Sequence, residues 1–158
     1  MRWATHGIPN EVNAHPHSSE IVSVVHNGII ENSNSLKNKL EKEGYKFKSQ
    51  TDTEVVTLLI TEALKEDKPL ESVFKTLKKL KGSFALGIIF QNFSNIIIGA
   101  RRGSPLAVGY SKEENYIGSD SYALKSMTNK ISYLDDGEIC VLTKDCLLYT
   151  SPSPRDLY

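Results

Sequence analysis

This chain is nearly devoid of cysteine, with only Cys140 and Cys146 among 158 residues. So sparse a count excludes a disulfide-stapled secreted scaffold and fits a reducing compartment, so the expected location is the cytoplasm. Net charge is missing too. Nineteen Lys and Arg balance nineteen Asp and Glu, no net field draws in polyanions, and neither nucleic acid nor a membrane surface is expected as a partner. No apolar run approaches the roughly 20 residues of a membrane span, and Met1 leads straight into Arg2-Trp3 rather than into a basic-then-apolar export signal. There is no internal repeat and no linker before the C-terminal segment. A hydrophobic content of 39% is enough for one globular domain with a real core, and the length is too short for two.

All four histidines, His6, His15, His17 and His26, fall in the first thirty residues, with Pro9 and Pro16 between them. That region reads as loop followed by one strand, Ile21 to His26. Asn27-Gly28 then reads as a left-handed turn that brings backbone N–H groups into the open at the strand's end. Ser33 or Asn34 can cap a helix carrying Leu36 and Leu40 on one face, with Gly44 as its stop. Tyr45 to Lys48 alternates as a short strand. Thr51-Asp52-Thr53-Glu54 fits a capping box ahead of Val55, Leu58 and Leu59, which sets Asp52 at a helix N-terminus. Pro69 opens a helix with Val73, Leu77 and Leu80, closed by Gly82.

Strands dominate afterwards. Phe84 to Phe90 and Asn95 to Ala100 are apolar runs separated by a polar turn, which suits a hairpin buried on both faces. Shorter strands are expected at 116–119, 131–134 and 138–143, the last entered by a tight turn at Asp135-Asp136-Gly137. The order is α+β rather than alternating βαβ.

Some of these residues carry donors and acceptors suited to an amino-acid substrate. Such a ligand bears a carboxylate and an ammonium on one carbon, so its site needs a guanidinium and a carboxylate a few ångströms apart, and Arg2 and Asp52 could supply them. Attack on a side-chain amide would create an oxyanion needing preorganised donors, which Asn27's carboxamide and Gly28's N–H could provide. Each residue alone also has a plain structural reading, as a turn or a helix cap.

Taken together, Arg-Trp-Ala-Thr-His-Gly at 2–7, Asn-Ala-His-Pro-His at 13–17, His-Asn-Gly-Ile-Ile-Glu-Asn at 26–32, Thr-Asp-Thr-Glu at 51–54, Gly-Ser-Pro-Leu at 103–106 and Ser-Asp at 119–120 resemble the glutaminase domain of the isomerising glutamine–fructose-6-phosphate aminotransferases. The resemblance runs from Arg2 to about Asp145. Phosphoribosyl-pyrophosphate amidotransferases share the Asn-Gly and the general plan, but Trp-Ala-Thr-His-Gly is closer to the hexosamine enzymes. It implies residues 1–145 as a partial type-2 glutamine amidotransferase domain, a four-layer αββα N-terminal-nucleophile hydrolase sandwich of antiparallel sheets, truncated at its N-terminus.

It also implies roles. Arg2 would bind the carboxylate of L-glutamine, Asp52 its ammonium, and Thr5 and His6 would line the same site. Asn27 and Gly28 would form the oxyanion hole, and Trp3 would sit on a loop shielding the site. Ammonia released there would aminate fructose 6-phosphate, held by an isomerase domain outside this chain, and the parent enzyme would be a homodimer. No cofactor and no metal are implied.

In that family the nucleophile is the thiol of the mature chain's first residue, a cysteine preceding the Arg-Trp motif, whereas here Met1 stands directly before Arg2. The expectation is therefore a fragment that is inactive alone. Two alternatives differ in class. One is an amino-acid-binding or regulatory module without catalysis. The other is a metal hydrolase using His15, His17, His6 and His26, which lacks a helical i, i+4 histidine pair or a cysteine partner. Residues 146–158 read as a disordered or non-native tail, and 146–156 resemble the translation of a sequencing-library adapter.

Overall fold

A computed structural model describes residues 5–150. Their centre is a six-stranded antiparallel sheet in the order β1 (His17–Ser18), β2 (Val22–Ile30), β3 (Gly82–Phe90), β4 (Ile97–Arg102), β8 (Ile139–Leu142) and β9 (Leu147–Thr150). A three-stranded sheet, β6-β5-β7, is built from β5 (Ala107–Tyr110), β6 (Asn115–Gly118) and β7 (Ile131–Tyr133).

Side chains alternate across a strand, so register decides which residues share a face. Val22, Val24 and Ile30 stand opposite Phe90, Ile88 and Gly82, which puts them on one face with Phe84, Leu86, Ile98 and Ala100. That face is covered by α1 (Ser33–Lys42), α2 (Asp52–Ala63) and α3 (Pro69–Lys79), whose Leu36, Leu40, Val55, Val56, Ile60, Val73 and Leu77 complete one buried cluster. Each such side chain, fully buried, contributes about 1.5–3 kcal/mol relative to exposure. Ala85, Cys140 and Leu142 lie on the other face and meet Leu106, Val108 and Leu134 in a second cluster between the sheets. The short α4 (Ser121–Leu124) packs Leu124 against Gly109 and Gly118 on the outer face of the small sheet. The layers are thus helix, sheet, sheet, helix, the expected αββα order.

The three long helices and the β3–β4 hairpin follow the sequence reading, and the middle of that hairpin is buried on both faces. Several local expectations are corrected. Asn27-Gly28 does not form a turn, because β2 continues to Ile30 with Asn27 opposite Ala85 and Gly28 opposite Phe84. Tyr45 to Lys48 is not a strand. Tyr45 and Phe47 instead anchor an irregular segment against the helical core, under Lys65 and Lys37 respectively.

Asn32, rather than Ser33 or Asn34, occupies the N-cap position of α1. Its side chain makes no cap bond there and instead holds the α3–β3 junction, donating to the Lys79 carbonyl and accepting the Lys81 N–H. Gly82 does not close α3, which ends at Lys79, but opens β3 opposite Ile30. Within the tail read from the sequence as disordered or non-native, Leu147–Thr150 pair with β8 as strand β9. Residues 151–158 lie outside the described residues. Tyr122 is largely exposed.

Candidate functional site

The N-terminus of α2 and the open edge of β2 face one another. Thr51 is the N-cap residue and Asp52 the first helical residue, as the sequence predicts, but the capping box does not close. Thr51's hydroxyl instead meets His17 Nε2 at 3.0 Å, and Glu54's carboxylate accepts from the backbone N–H groups of Lys48 and Ser49. Glu54 therefore fastens the preceding loop to the helix.

Asp52 is buried, with 4% of its surface exposed, which demands partners for a carboxylate. Its Oδ2 accepts the Ile30 N–H at 2.9 Å. His6 Nδ1 lies 3.6 Å from Oδ2, and His26 Nδ1 lies 3.8 Å from Oδ1. Asp52 is also the first residue of α2, at the positive end of the helix dipole.

The Ile30 contact fixes the sense of the whole β2 edge. Val22's carbonyl accepts from Ser19, away from β3, while Ile21's carbonyl accepts from Gln91 and Glu31's N–H donates to Lys81, both toward the β3 side. In an antiparallel pair these directions alternate residue by residue, so even-numbered residues of β2 turn their backbone groups away from β3. β1 pairs only with Ser23 and Val24. Gly28's N–H therefore falls on the open edge, two residues from the N–H that Asp52 holds. Gly28 has φ +109°, and a Cβ there would lie 2.1 Å from the Ser83 carbonyl oxygen and 2.9 Å from Phe84 Cα. Only glycine fits that backbone.

Thr5, Asn27, Gly28 and Asp52 line one cavity of about 250 Å3, together with His15, His26 and Thr53. His15, His26 and Asn27 also border a second cavity of about 160 Å3, walled by Val25, Ala85, Gly87, Leu106 and Ile117 between the sheets. His6 joins the site through Asp52. Arg2 and Trp3 lie outside the described residues.

Sequence reasoning did not assign His15, His26 or Thr53 to this site. Thr53 Oγ1 is 3.3 Å from His15 Nε2 and 3.1 Å from His26 Nδ1. With Thr51 holding His17, all four histidines of the sequence reach the three consecutive residues Thr51, Asp52 and Thr53. Their concentration in the first thirty residues was the visible signal, though not its target. Among the described residues no group of three or more His, Cys, Asp or Glu side chains is arranged to hold a metal ion.

Neither cysteine lines the 250 Å3 cavity. Cys140 is wholly buried between the sheets, where burial pushes its thiol up to about 11, and Cys146 is exposed beside β9. Arg101 and Arg102 serve the scaffold: Arg101 donates to the Leu134 carbonyl, and Arg102 caps the end of α3 through the Leu80 and Leu77 carbonyls over the Phe84 ring. No helix of the described residues is long and apolar enough to cross a membrane.

Residues 8–126 match the glutamine amidotransferase domain family. The chain is 54% identical over 145 residues to the isomerizing glutamine–fructose-6-phosphate aminotransferase of Zymomonas mobilis, covering 91% of this chain and 24% of that protein. The Mesorhizobium japonicum protein of the same name is 52% identical with the same coverage. This chain thus spans about a quarter of the length of these relatives. Among solved structures, the glutamine phosphoribosylpyrophosphate amidotransferase from B. subtilis, complexed with ADP and GMP, matches with a TM-score of 0.77 and 25% identity, over 95% of this chain and 33% of that one. A glutamine aminotransferase class-II domain protein from Silicibacter pomeroyi shares the fold, with a TM-score of 0.71 at 16% identity over 89% of this chain and 71% of that one.

Proposed function

This chain belongs to the glutamine amidotransferase domain family, and on that premise we propose that it supplies the glutamine-binding and oxyanion-stabilising part of an isomerising glutamine–fructose-6-phosphate aminotransferase. The observation that carries the reading is the shared cavity: a buried carboxylate, Asp52, and an outward backbone donor, Gly28, line the same space of about 250 Å3. That volume lies below the roughly 300–1,000 Å3 of sites for drug-sized ligands and suits a single amino acid.

Asp52 holds the α-ammonium of L-glutamine, with its Oδ2 already braced by Ile30 and the charge kept out of bulk water, where an ion pair is stronger. Arg2 takes the α-carboxylate as a planar two-pronged donor. Thr5 and His6 complete the pocket wall, and Trp3 shields it. The side-chain amide then lies along the β2 edge, where the Gly28 N–H and the Asn27 carboxamide receive the negative charge that develops on its oxygen as a nucleophile attacks. A fixed donor of this kind is worth about 2.7–4 kcal/mol of barrier in a well-studied protease. Exclusion of water keeps the departing ammonia unprotonated and so nucleophilic.

Cys140, buried and with its thiol pushed up to about 11, is no nucleophile for this cavity, and Cys146 lies far along the sheet beside β9. With these two as the sequence's only thiols, the 158-residue chain binds glutamine without hydrolysing it. Residues 1–145 form the amidotransferase part. Fructose 6-phosphate as acceptor follows the name of the relatives; an isomerase domain outside this chain to hold it and a homodimeric parent enzyme are further parts of the proposal. Amide NMR during titration with L-glutamine tests the binding role: saturable shifts at Asn27, Gly28 and Ile30, with no ammonia released, support it. Shifts confined to other residues, or ammonia release, contradict it.

A further inference from the structure

We propose that Thr53 is a positioning residue that keeps Asp52 available to the substrate's ammonium by holding His15 and His26 on its own hydroxyl. The proposal rests on the glutamine-site reading. Thr53 is 1% exposed, and its Oγ1 lies between His26 Nδ1 at 3.1 Å and His15 Nε2 at 3.3 Å. A hydroxyl has one hydrogen and two acceptor lone pairs, so it donates to at most one of the two ring nitrogens and accepts from the other or from both. In every such arrangement His26 Nδ1 is engaged by Thr53.

Asp52 explains why that engagement matters. Its Oδ2 is committed to the Ile30 N–H at 2.9 Å, while Oδ1 lies 3.8 Å from the same His26 Nδ1, just beyond hydrogen-bond distance. Both residues line the cavity. Without the Thr53 hydroxyl, a small turn of the His26 ring lets Nδ1–H donate to Oδ1 and occupy the oxygen that the ammonium needs. Thr53 thus acts on the ligand through His26 and Asp52, and its effect is confined to ligands that carry the ammonium.

The test compares L-glutamine with 4-carbamoylbutanoate, which is glutamine without its amino group, on the wild-type chain, Thr53→Val and Thr53→Ser. Valine matches threonine in shape and removes the hydroxyl. In the Val variant, Kd for glutamine is expected to rise about tenfold or more, the scale of one charge-assisted hydrogen bond, while Kd for the analogue stays within about twofold. The Ser variant restores glutamine binding. Histidine nitrogen spectra of the unliganded chain are expected to show His26 in the Nδ1–H form in Thr53→Val, with ring nitrogen shifts displaced from wild type.

Equal weakening of both ligands, failure of serine to rescue, or unchanged His26 nitrogen signals overturns the proposal. If wild type does not prefer glutamine to the analogue, the assignment of Asp52 to the ammonium fails by itself, and the His26 signals then decide whether Thr53 holds that ring.

Discussion

Asp52 accepts the Ile30 N–H at 2.9 Å, joining the first residue of α2 to the last residue of β2. One carboxylate oxygen thereby finishes the strand edge on which Gly28 presents its own N–H. The proposed ammonium clamp and oxyanion donor are built on a single hydrogen bond, so damage to one side is felt on the other.

Asp52→Asn separates charge from structure. The amide oxygen can still accept from Ile30, so the thermal midpoint should remain near wild type, whereas glutamine affinity should fall about tenfold or more with the loss of the charge. Asp52→Ala should lose binding and also stability, by about 1–3 kcal/mol, because it strands a buried N–H. Calorimetric titration and denaturant melts on both variants check this pair of outcomes.

Gly28→Ala should be among the most damaging single changes. The residue has φ +109°, and the added carbon would stand 2.1 Å from the Ser83 carbonyl oxygen. Backbone strain alone costs about 1–3 kcal/mol, and the clash within the β2–β3 ladder adds to it. Gly44→Ala is the control, since φ is +92° but nothing lies within 4 Å of the added carbon. Urea melts should show a small loss for Gly44→Ala, about 1 kcal/mol, and a much larger one for Gly28→Ala.

Cys140 gives the chain an alkaline limit. Burial raises its thiol from 9.0 to about 11, so the folded state favours the neutral form. The resulting stability is fully present below pH 9 and is lost as pH rises through about 11, because the unfolded chain releases its proton first. Denaturant midpoints for wild type should therefore drop more steeply between pH 9 and 11 than those for Cys140→Ala. Parallel pH profiles would assign the effect elsewhere. At neutral pH, iodoacetamide should label Cys146 and leave Cys140 unmodified.

The parts of this fold that were legible in sequence are those with a strong local signal. The apolar spacing of Val55, Leu58 and Leu59 and the Pro69 start marked α2 and α3, and the continuous apolar runs marked the β3–β4 hairpin. Asp52 was correctly set at a helix start. Asn27-Gly28 misled because the dipeptide's turn preference is local, whereas nine consecutive register pairs with β3 keep it extended. Tyr45 to Lys48 alternates like a strand but meets no strand to pair with, and its two aromatics are satisfied by packing on the helices.

The capping box failed for a related reason. Thr51 and Glu54 found tertiary partners, His17 and the 48–49 loop, that replaced the local bonds. The roles of Thr53, His15 and His26 had no readable local signal. Their meeting depends on β2 and the segment before β1 lying beside α2, with Thr53 27 positions from His26 and 38 from His15 in the chain.

Calorimetric titration of L-glutamine into the 158-residue chain and its Arg2→Ala variant tests the central claim most directly. The glutamine-site reading predicts saturable binding at one site in the wild type and at least about tenfold weaker binding in the variant, as expected for loss of a bidentate carboxylate contact. Equal affinities would remove Arg2 from the clamp, and no binding by the wild type would contradict the assignment of this cavity to glutamine.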